Sequence, residues 1–178
     1  LGEGARARVC AARDAEGREL AIKVSALASG HELWVEAERL LFASSRLLPG
    51  LLDVGRVPKG LPGLADRVGH TWLALERAPG RAIEPQALGA SDRTTIALVV
   101  ARDVGEALDD LHQSGLAHGD VKPANIVLSR DTARLVDLGL SAASDEVVPR
   151  GATLRYLPPE VRSTGALGDA RARDLYAL

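Results

Sequence analysis

Two kinds of hydrophobic pattern divide the chain. Near the N-terminus short runs have strand character: "ARVCAAR" (7–13) and "ELAIKV" (19–24) flank "DAEG", where Asp14 and Gly17 suit a tight turn, so a hairpin is predicted. From His31 to Ser44 the apolar residues Leu33, Ala37, Leu40 and Leu41 recur at helical spacing. "LLDVGRV" (51–57) and "HTWLALE" (70–76) predict two more strands around the loop "PKGLPGLAD". The pattern changes after Pro85. A long helix is predicted from a Ser91–Asp92 cap to Gly115, repeating Ile96, Val100, Val104, Leu108 and Leu111. Short strands "NIVLS" (125–129) and "ARLVDL" (133–138) follow around "RDT", and a last helix starts near Asp169. There is no internal repeat or low-complexity segment. Strands first and helices later predict an α+β chain in two lobes that meet near Ala78 to Gly80.

Composition narrows the classes. The 178 residues are 46% hydrophobic and 26% charged, with a formal net charge of -2, which suits a globular chain with a real core. That balance gives no reason to expect nucleic acid or an anionic membrane as partner. Cys10 is the single cysteine, so no internal disulfide can form and a reducing, cytoplasmic compartment is expected. No long uncharged apolar run is present to span a bilayer. The chain contains no Met, opens on "LGEG" and stops on "DLYAL" within helical pattern. It is therefore expected to be truncated at both ends, with further domains in the parent chain.

Candidate chemistry lies in a few short stretches. Gly2 and Gly4 precede a strand, where backbone amides could approach phosphate oxygens without an intervening side chain. Lys23, in "AIK", occupies an otherwise apolar strand and calls for an anionic partner if buried. Glu36 and Glu38 on the following helix both compete for it, and Glu36 is preferred because Leu40 falls one turn along the same face. In "HGDVKPAN", Asp120 and Asn125 offer oxygen ligands and Lys122 a point charge, while "LVDLG" adds the carboxylate of Asp137. Hard oxygen donors, few in number, suit Mg²⁺ bound together with phosphates. The four His residues lack zinc spacing.

Taken in order, "GEGARARV", "AIK", Glu36, "HGDVKPAN", "DLG" and "PPE" resemble the signature set of the eukaryotic-type Ser/Thr protein kinase family, in its bacterial-like form. The resemblance implies a two-lobed protein-kinase-like fold. Residues 1–78 would be a strand-rich N-lobe with one main helix, running from the Gly-rich loop to the hinge. Residues 79–178 would be a helix-rich C-lobe as far as the family's αF region. The implied cofactors are ATP and Mg²⁺. Lys23 would pair the ATP phosphates with Glu36, Asn125 and Asp137 would hold Mg²⁺, and Asp120 would receive or orient the substrate hydroxyl as catalytic base. Lys122 would neutralise charge on the transferred phosphoryl group. Val9 and Ala21 would cover the adenine ring and Val127 would form its floor. Leu75 would be the gatekeeper, and the backbone of Glu76 and Ala78 would make the hinge hydrogen bonds. Two positions depart from the family pattern: Ala7 replaces the third glycine of the loop, and Ala82 replaces a polar ribose contact.

"HGD" in place of "HRD" is frequent in aminoglycoside and choline kinase-like relatives, so a small-molecule kinase is the alternative, and a kinase-like binding module is a third class. Lys122–Pro123, the glycine of "DLG", and "GATLRYLPPE" with Thr153, Tyr156 and Glu160 favour protein substrates bearing Ser or Thr. The catalytic charges Lys23, Asp120, Asn125 and Asp137 are all present, against the binding module. Gly119 removes the arginine that contacts a phosphorylated activation loop in kinases switched that way. Only Ser141 and Ser144 offer hydroxyls between "DLG" and the docking segment. A kinase without that switch is expected, unless Arg134 or Arg150 supplies a phosphate pocket instead.

Overall fold

The computed structural model describes residues 2–3, 7–26, 30–43, 45–87, 89–140, 142–143, 153–164 and 168–178. The chain divides into two compact units, one formed by residues 1–41 and 49–77 and the other by residues 42–48 and 78–178.

The first unit is built on an antiparallel five-stranded sheet. Its strands are β1 (Gly2–Glu3), β2 (Ala7–Arg13), β3 (Glu19–Ser25), β4 (Leu51–Arg56) and β5 (Thr71–Glu76), in the spatial order β1-β2-β3-β5-β4. The β2–β3 turn closes as its residues require. Gly17 has φ 83°, a conformation open to glycine without steric cost. The Asp14 carboxylate accepts the Arg18 amide at 2.8 Å. The helix α1 (His31–Phe42) buries Leu33, Glu36, Ala37 and Leu40. Leu41 does not join them. It is 72% exposed, because one residue past Leu40 is a rotation of about 100° away from the buried stripe. The expected helix end at Ser44 lies outside the described residues, and the observed helix stops at Phe42. In β4 a register shift between Leu51 and Asp53 leaves Leu52 exposed.

The second unit is organised by α2 (Ala90–Gln113), which buries Val104, Ala107, Leu108 and Leu111. Gly89 takes the N-cap position, two residues before the Ser91–Asp92 cap expected from sequence. At the other end Ser114 is the C-cap and Gly115 follows with φ 76°, the left-handed exit that glycine permits. The strand β6 (Arg81–Ala82) pairs with β8 (Ile126–Ser129), which pairs with β9 (Thr132–Leu135) in a three-stranded sheet. Between them in sequence, β7 (Leu116–Ala117) pairs with β10 (Ala142–Ala143). The second strand of the β8–β9 hairpin ends earlier than expected, at Leu135, because Asp137 adopts φ 70° and leaves the extended region. Two helices close the chain, α3 (Pro159–Thr164) and α4 (Ala170–Ala177). The α4 helix is capped by Asp169, whose Oδ1 accepts the Arg171 amide at 2.9 Å.

The hairpin β8–β9 is fixed to α2 by one buried and one exposed polar contact as well as by packing. Asp103 Oδ2 accepts the Ala133 amide at 2.8 Å, and Arg102 reaches the Asp131 carbonyl at 2.7 Å. The Arg102 guanidinium beside Asp103, together with the Ala133 amide, holds the Asp103 carboxyl below the usual range. Both ends of the hairpin carry residues of the candidate site, so this anchoring decides where they stand.

Candidate active site

In the first unit, pairing across the sheet places one set of side chains on a common face. Val9 stands opposite Lys23, Ala11 opposite Ala21, Ala21 opposite Leu75 and Lys23 opposite Leu73. Lys23 is buried to 7% exposure, and its Nζ lies 2.6 Å and 2.9 Å from the two carboxylate oxygens of Glu36, itself 1% exposed. Glu38 is exposed and has turned away from that face. A buried cation and a buried anion are each costly alone, and their pairing is what makes either tolerable. Gly2 lies in β1 opposite Val9. Gly4 lies outside the described residues. Glu76 is exposed at the end of β5, with its amide donating to the Gly50 carbonyl at 2.8 Å.

In the second unit, the segment after β7 bends through Gly119, whose φ is 79°. An L-residue there costs roughly 1–2 kcal/mol in backbone sterics, so the glycine serves the bend itself besides removing a side chain. The bend is held by Asp174 of α4, which is 2% exposed. Its Oδ2 accepts the His118 amide at 2.7 Å and His112 Nε2 at 3.0 Å, and its Oδ1 accepts the Gly119 amide at 2.8 Å. His118 is fully buried. Its Nδ1 accepts the Asp120 amide at 3.3 Å, so the ring proton sits on Nε2, which donates to the Val136 carbonyl at 3.2 Å. Burial lowers the His118 pKa and keeps the ring neutral, as that bonding requires.

Asp120 is the centre of this arrangement. Oδ2 lies 2.5 Å from Lys122 Nζ and 3.2 Å from Asn125 Nδ2. Oδ1 accepts the Thr153 hydroxyl at 2.9 Å and the Thr153 amide at 3.3 Å. Asn125 also donates Nδ2 to the Asp120 carbonyl at 2.9 Å, which fixes the amide orientation and leaves Oδ1 as its oxygen donor. The short turn at Pro123–Asn125 sets that spacing, and Asn125 in turn accepts the Val136 amide on its carbonyl at 2.8 Å. Next to Val136, Asp137 is exposed and its Oδ1 accepts the Gly139 amide at 3.3 Å. Val127 is half-buried on β8, opposite Ala82 and Arg134.

Asn125 and Asp137 supply hard oxygen donors of the kind Mg²⁺ takes. Among the described residues no group of three His, Cys, Asp or Glu side chains converges on a metal position. A cation here would complete its shell with phosphate oxygens and water, which is how Mg²⁺ binds with nucleotides.

The sequence groups Asp120, Lys122 and Asn125, and the side chains of Lys122 and Asn125 both lie within hydrogen-bond reach of Asp120. It placed Thr153 only in a docking segment and missed its bonds to Asp120 and to Lys122, the latter at 3.1 Å. A lone threonine 33 residues downstream carries no spacing signal for such a contact. Ser141, Ser144 and Arg150 lie outside the described residues.

Known proteins resemble the chain along its whole length. The model of the protein kinase domain family matches residues 1–178. The DNA damage-responsive serine/threonine-protein kinase RqkA of Deinococcus radiodurans is 34% identical over 193 aligned residues, covering 100% of this chain and 27% of that protein. The probable serine/threonine-protein kinase PkwA of Thermomonospora curvata is 31% identical, over 100% of this chain and 24% of that protein. The serine/threonine-protein kinase PknJ of Mycobacterium tuberculosis is 38% identical, over 62% of this chain and 20% of that protein. The chain thus spans about a quarter of the length of these relatives. With a match along its entire length and the Lys23–Glu36 pair and the Asp120 cluster in place, the chain belongs to the protein kinase domain family.

Proposed function

We propose that the protein containing this chain transfers the γ-phosphoryl group of ATP, with Mg²⁺, to Ser or Thr hydroxyls of other proteins. One observation carries the reading: the Asp120 carboxylate, Lys122 Nζ and a threonine hydroxyl meet within hydrogen-bond distance. A carboxylate that accepts an aliphatic hydroxyl is suited to orient the attacking oxygen and take its proton. The adjacent ammonium is suited to neutralise charge on the transferred group. Phosphoryl transfer asks mainly for positioning and charge neutralisation, so a weak base suffices.

In this reading Asp120 and Lys122 are catalytic, and Asn125 and Asp137 hold the metal. Lys23, oriented by Glu36, binds the nucleotide phosphates, and Gly2 and Gly4 belong to the Gly-rich loop that contacts them. Val9, Ala21 and Val127 are adenine-binding residues in this reading, as is the backbone of Glu76 and Ala78. Residues 1–78 act as the N-lobe and 79–178 as the C-lobe. No described helix is long and apolar enough to cross a membrane. On the separate ground of its single cysteine, Cys10, the domain is assigned to the cytoplasm, where it acts on protein substrates beside further domains of its parent. The relatives' names, all serine/threonine-protein kinases, support protein over small-molecule substrates. Radiolabelled ATP offered to the full-length protein with a generic protein substrate, and separately with aminoglycosides and choline, tests this. Label is expected on the protein alone; transfer only to the small molecules would reject the reading in favour of a small-molecule kinase.

Gly119 bears on regulation. Its place holds no arginine to bind a phosphorylated loop, and its positive φ suits the glycine independently. We therefore propose that activity does not depend on activation-loop phosphorylation. Phosphatase treatment and the double change Ser141→Ala with Ser144→Ala are expected to leave the rate unchanged. A loss of tenfold or more, about 1.4 kcal/mol, would point to a phosphate pocket built from another basic residue such as Arg134.

A further inference from the structure

The connection between β4 and β5 is long, and it does not simply turn. It orders itself around a short turn at Ala65–Arg67. The Gly69 amide donates to the Val57 carbonyl at 2.8 Å, and the Val57 amide to the His70 carbonyl at 2.9 Å. It then reaches across to the end of β3. Ser25, fully buried, offers its carbonyl to two side chains of this excursion, Arg67 Nη1 at 3.2 Å and His70 Nδ1 at 2.9 Å. A carbonyl only accepts, so the His70 proton sits on Nδ1 in this contact.

The residue after His70, Thr71, stands against the start of α1. Gly30, with φ 56°, immediately precedes α1, and its carbonyl accepts the amides of Leu33 and Trp34 in the first turn. A Cβ on Gly30 would collide with Thr71 Oγ1, and Thr71 is fully buried. Positions 25 and 30, the two ends of the link from β3 to α1, are therefore set by Arg67, His70 and Thr71. Lys23 lies two residues before that link and Glu36 six residues after it, and their atoms meet at 2.6 Å. A pair this buried tolerates little displacement, because a carboxylate moved off its ammonium is left desolvated and unpaired.

We propose that Arg67 and His70 are positioning residues for the Lys23–Glu36 pair, acting through the Ser25 carbonyl to fix the link between β3 and α1. The inference rests on the proposed function only for its consequence in nucleotide binding and turnover; the placement itself is a property of the first unit. Loosening the two donors frees the start of α1, lowers the fraction of molecules with Glu36 on Lys23, and weakens nucleotide binding before it affects the transfer step.

The test uses the full-length protein with Arg67→Ala and His70→Ala, singly and together, beside the conservative Arg67→Lys and His70→Asn, which keep an N–H donor. Hydrogen exchange of the α1 amides and affinity for a non-hydrolysable ATP analogue are the readouts. The double alanine variant is expected to exchange α1 amides about tenfold faster, with β4 and β5 still protected. It should bind the analogue about fivefold more weakly, and the conservative variants should recover most of both. Should the double variant fail to fold, the single variants carry the same comparison with smaller effects. Unchanged α1 exchange, faster exchange without loss of nucleotide affinity, or equal loss of protection in α1, β4 and β5 would each overturn the proposal. A wild-type protein that binds the analogue yet transfers no phosphate would defeat the functional reading and leave this test in force.

Discussion

Asp120→Asn is expected to lower phosphoryl transfer by about three orders of magnitude or more, equivalent to about 4 kcal/mol of transition-state stabilisation. Asparagine keeps the shape of the side chain and can still accept from the Thr153 hydroxyl, now 2.9 Å from Oδ1. It cannot keep the charge that balances Lys122 Nζ at 2.5 Å, nor take a proton from a substrate hydroxyl. Folding should survive, since the Asp120 carbonyl and amide keep their bonds to Asn125 and His118. Initial rates at saturating ATP, with a thermal melt as control, check this. Lys23→Ala should give a comparable loss of transfer, but with a stability penalty of about 3–5 kcal/mol because Glu36 stays buried without its ammonium. The two variants are thus distinguished by their melting points and alike in rate.

Asp174→Ala is expected to give the largest loss of stability in the second unit, on the order of 4 kcal/mol. The carboxylate accepts two backbone amides and one imidazole N–H, at 2.7, 2.8 and 3.0 Å, in a site almost closed to water. Removing it strands the amides of His118 and Gly119, each worth about 1–3 kcal/mol when left unsatisfied. Activity should fall as well, because these amides immediately precede Asp120 and set its direction. Denaturant titration of the variant, paired with its rate, separates the two effects. A midpoint unchanged from wild type would show that the chain around Gly119 is held by something else.

Much of the candidate site's geometry was legible in the sequence for physical reasons. A lysine in the apolar strand "AIK" calls for a buried anion, and Glu36 answers it at the helical position that faces inward with Leu33, Ala37 and Leu40. "HGDVKPAN" keeps its functional groups within a few residues, so their meeting needs only one tight turn. Contacts made across long separations left no such trace. Thr153 reaches Asp120, and Arg67 and His70 reach Ser25, through single polar atoms with no periodicity to reveal them. Leu41 was misjudged because helical spacing admits both Leu40 and its neighbour at the edge of a stripe, and only packing selects between them. Gly119 read as a missing arginine; its left-handed backbone is a conformational requirement that composition does not display.

The central claim is that Asp120 and its partners direct ATP-dependent transfer to Ser or Thr hydroxyls of proteins. Its most direct test is to incubate the full-length protein with MgATP and a mixed protein substrate, and to locate the phosphorylated residues by mass spectrometry, with the Asp120→Asn variant alongside. Phosphoserine and phosphothreonine in the wild-type reaction, absent with the variant, is the predicted result. Phosphotyrosine as the main product, or equal phosphorylation by wild type and variant, would contradict it.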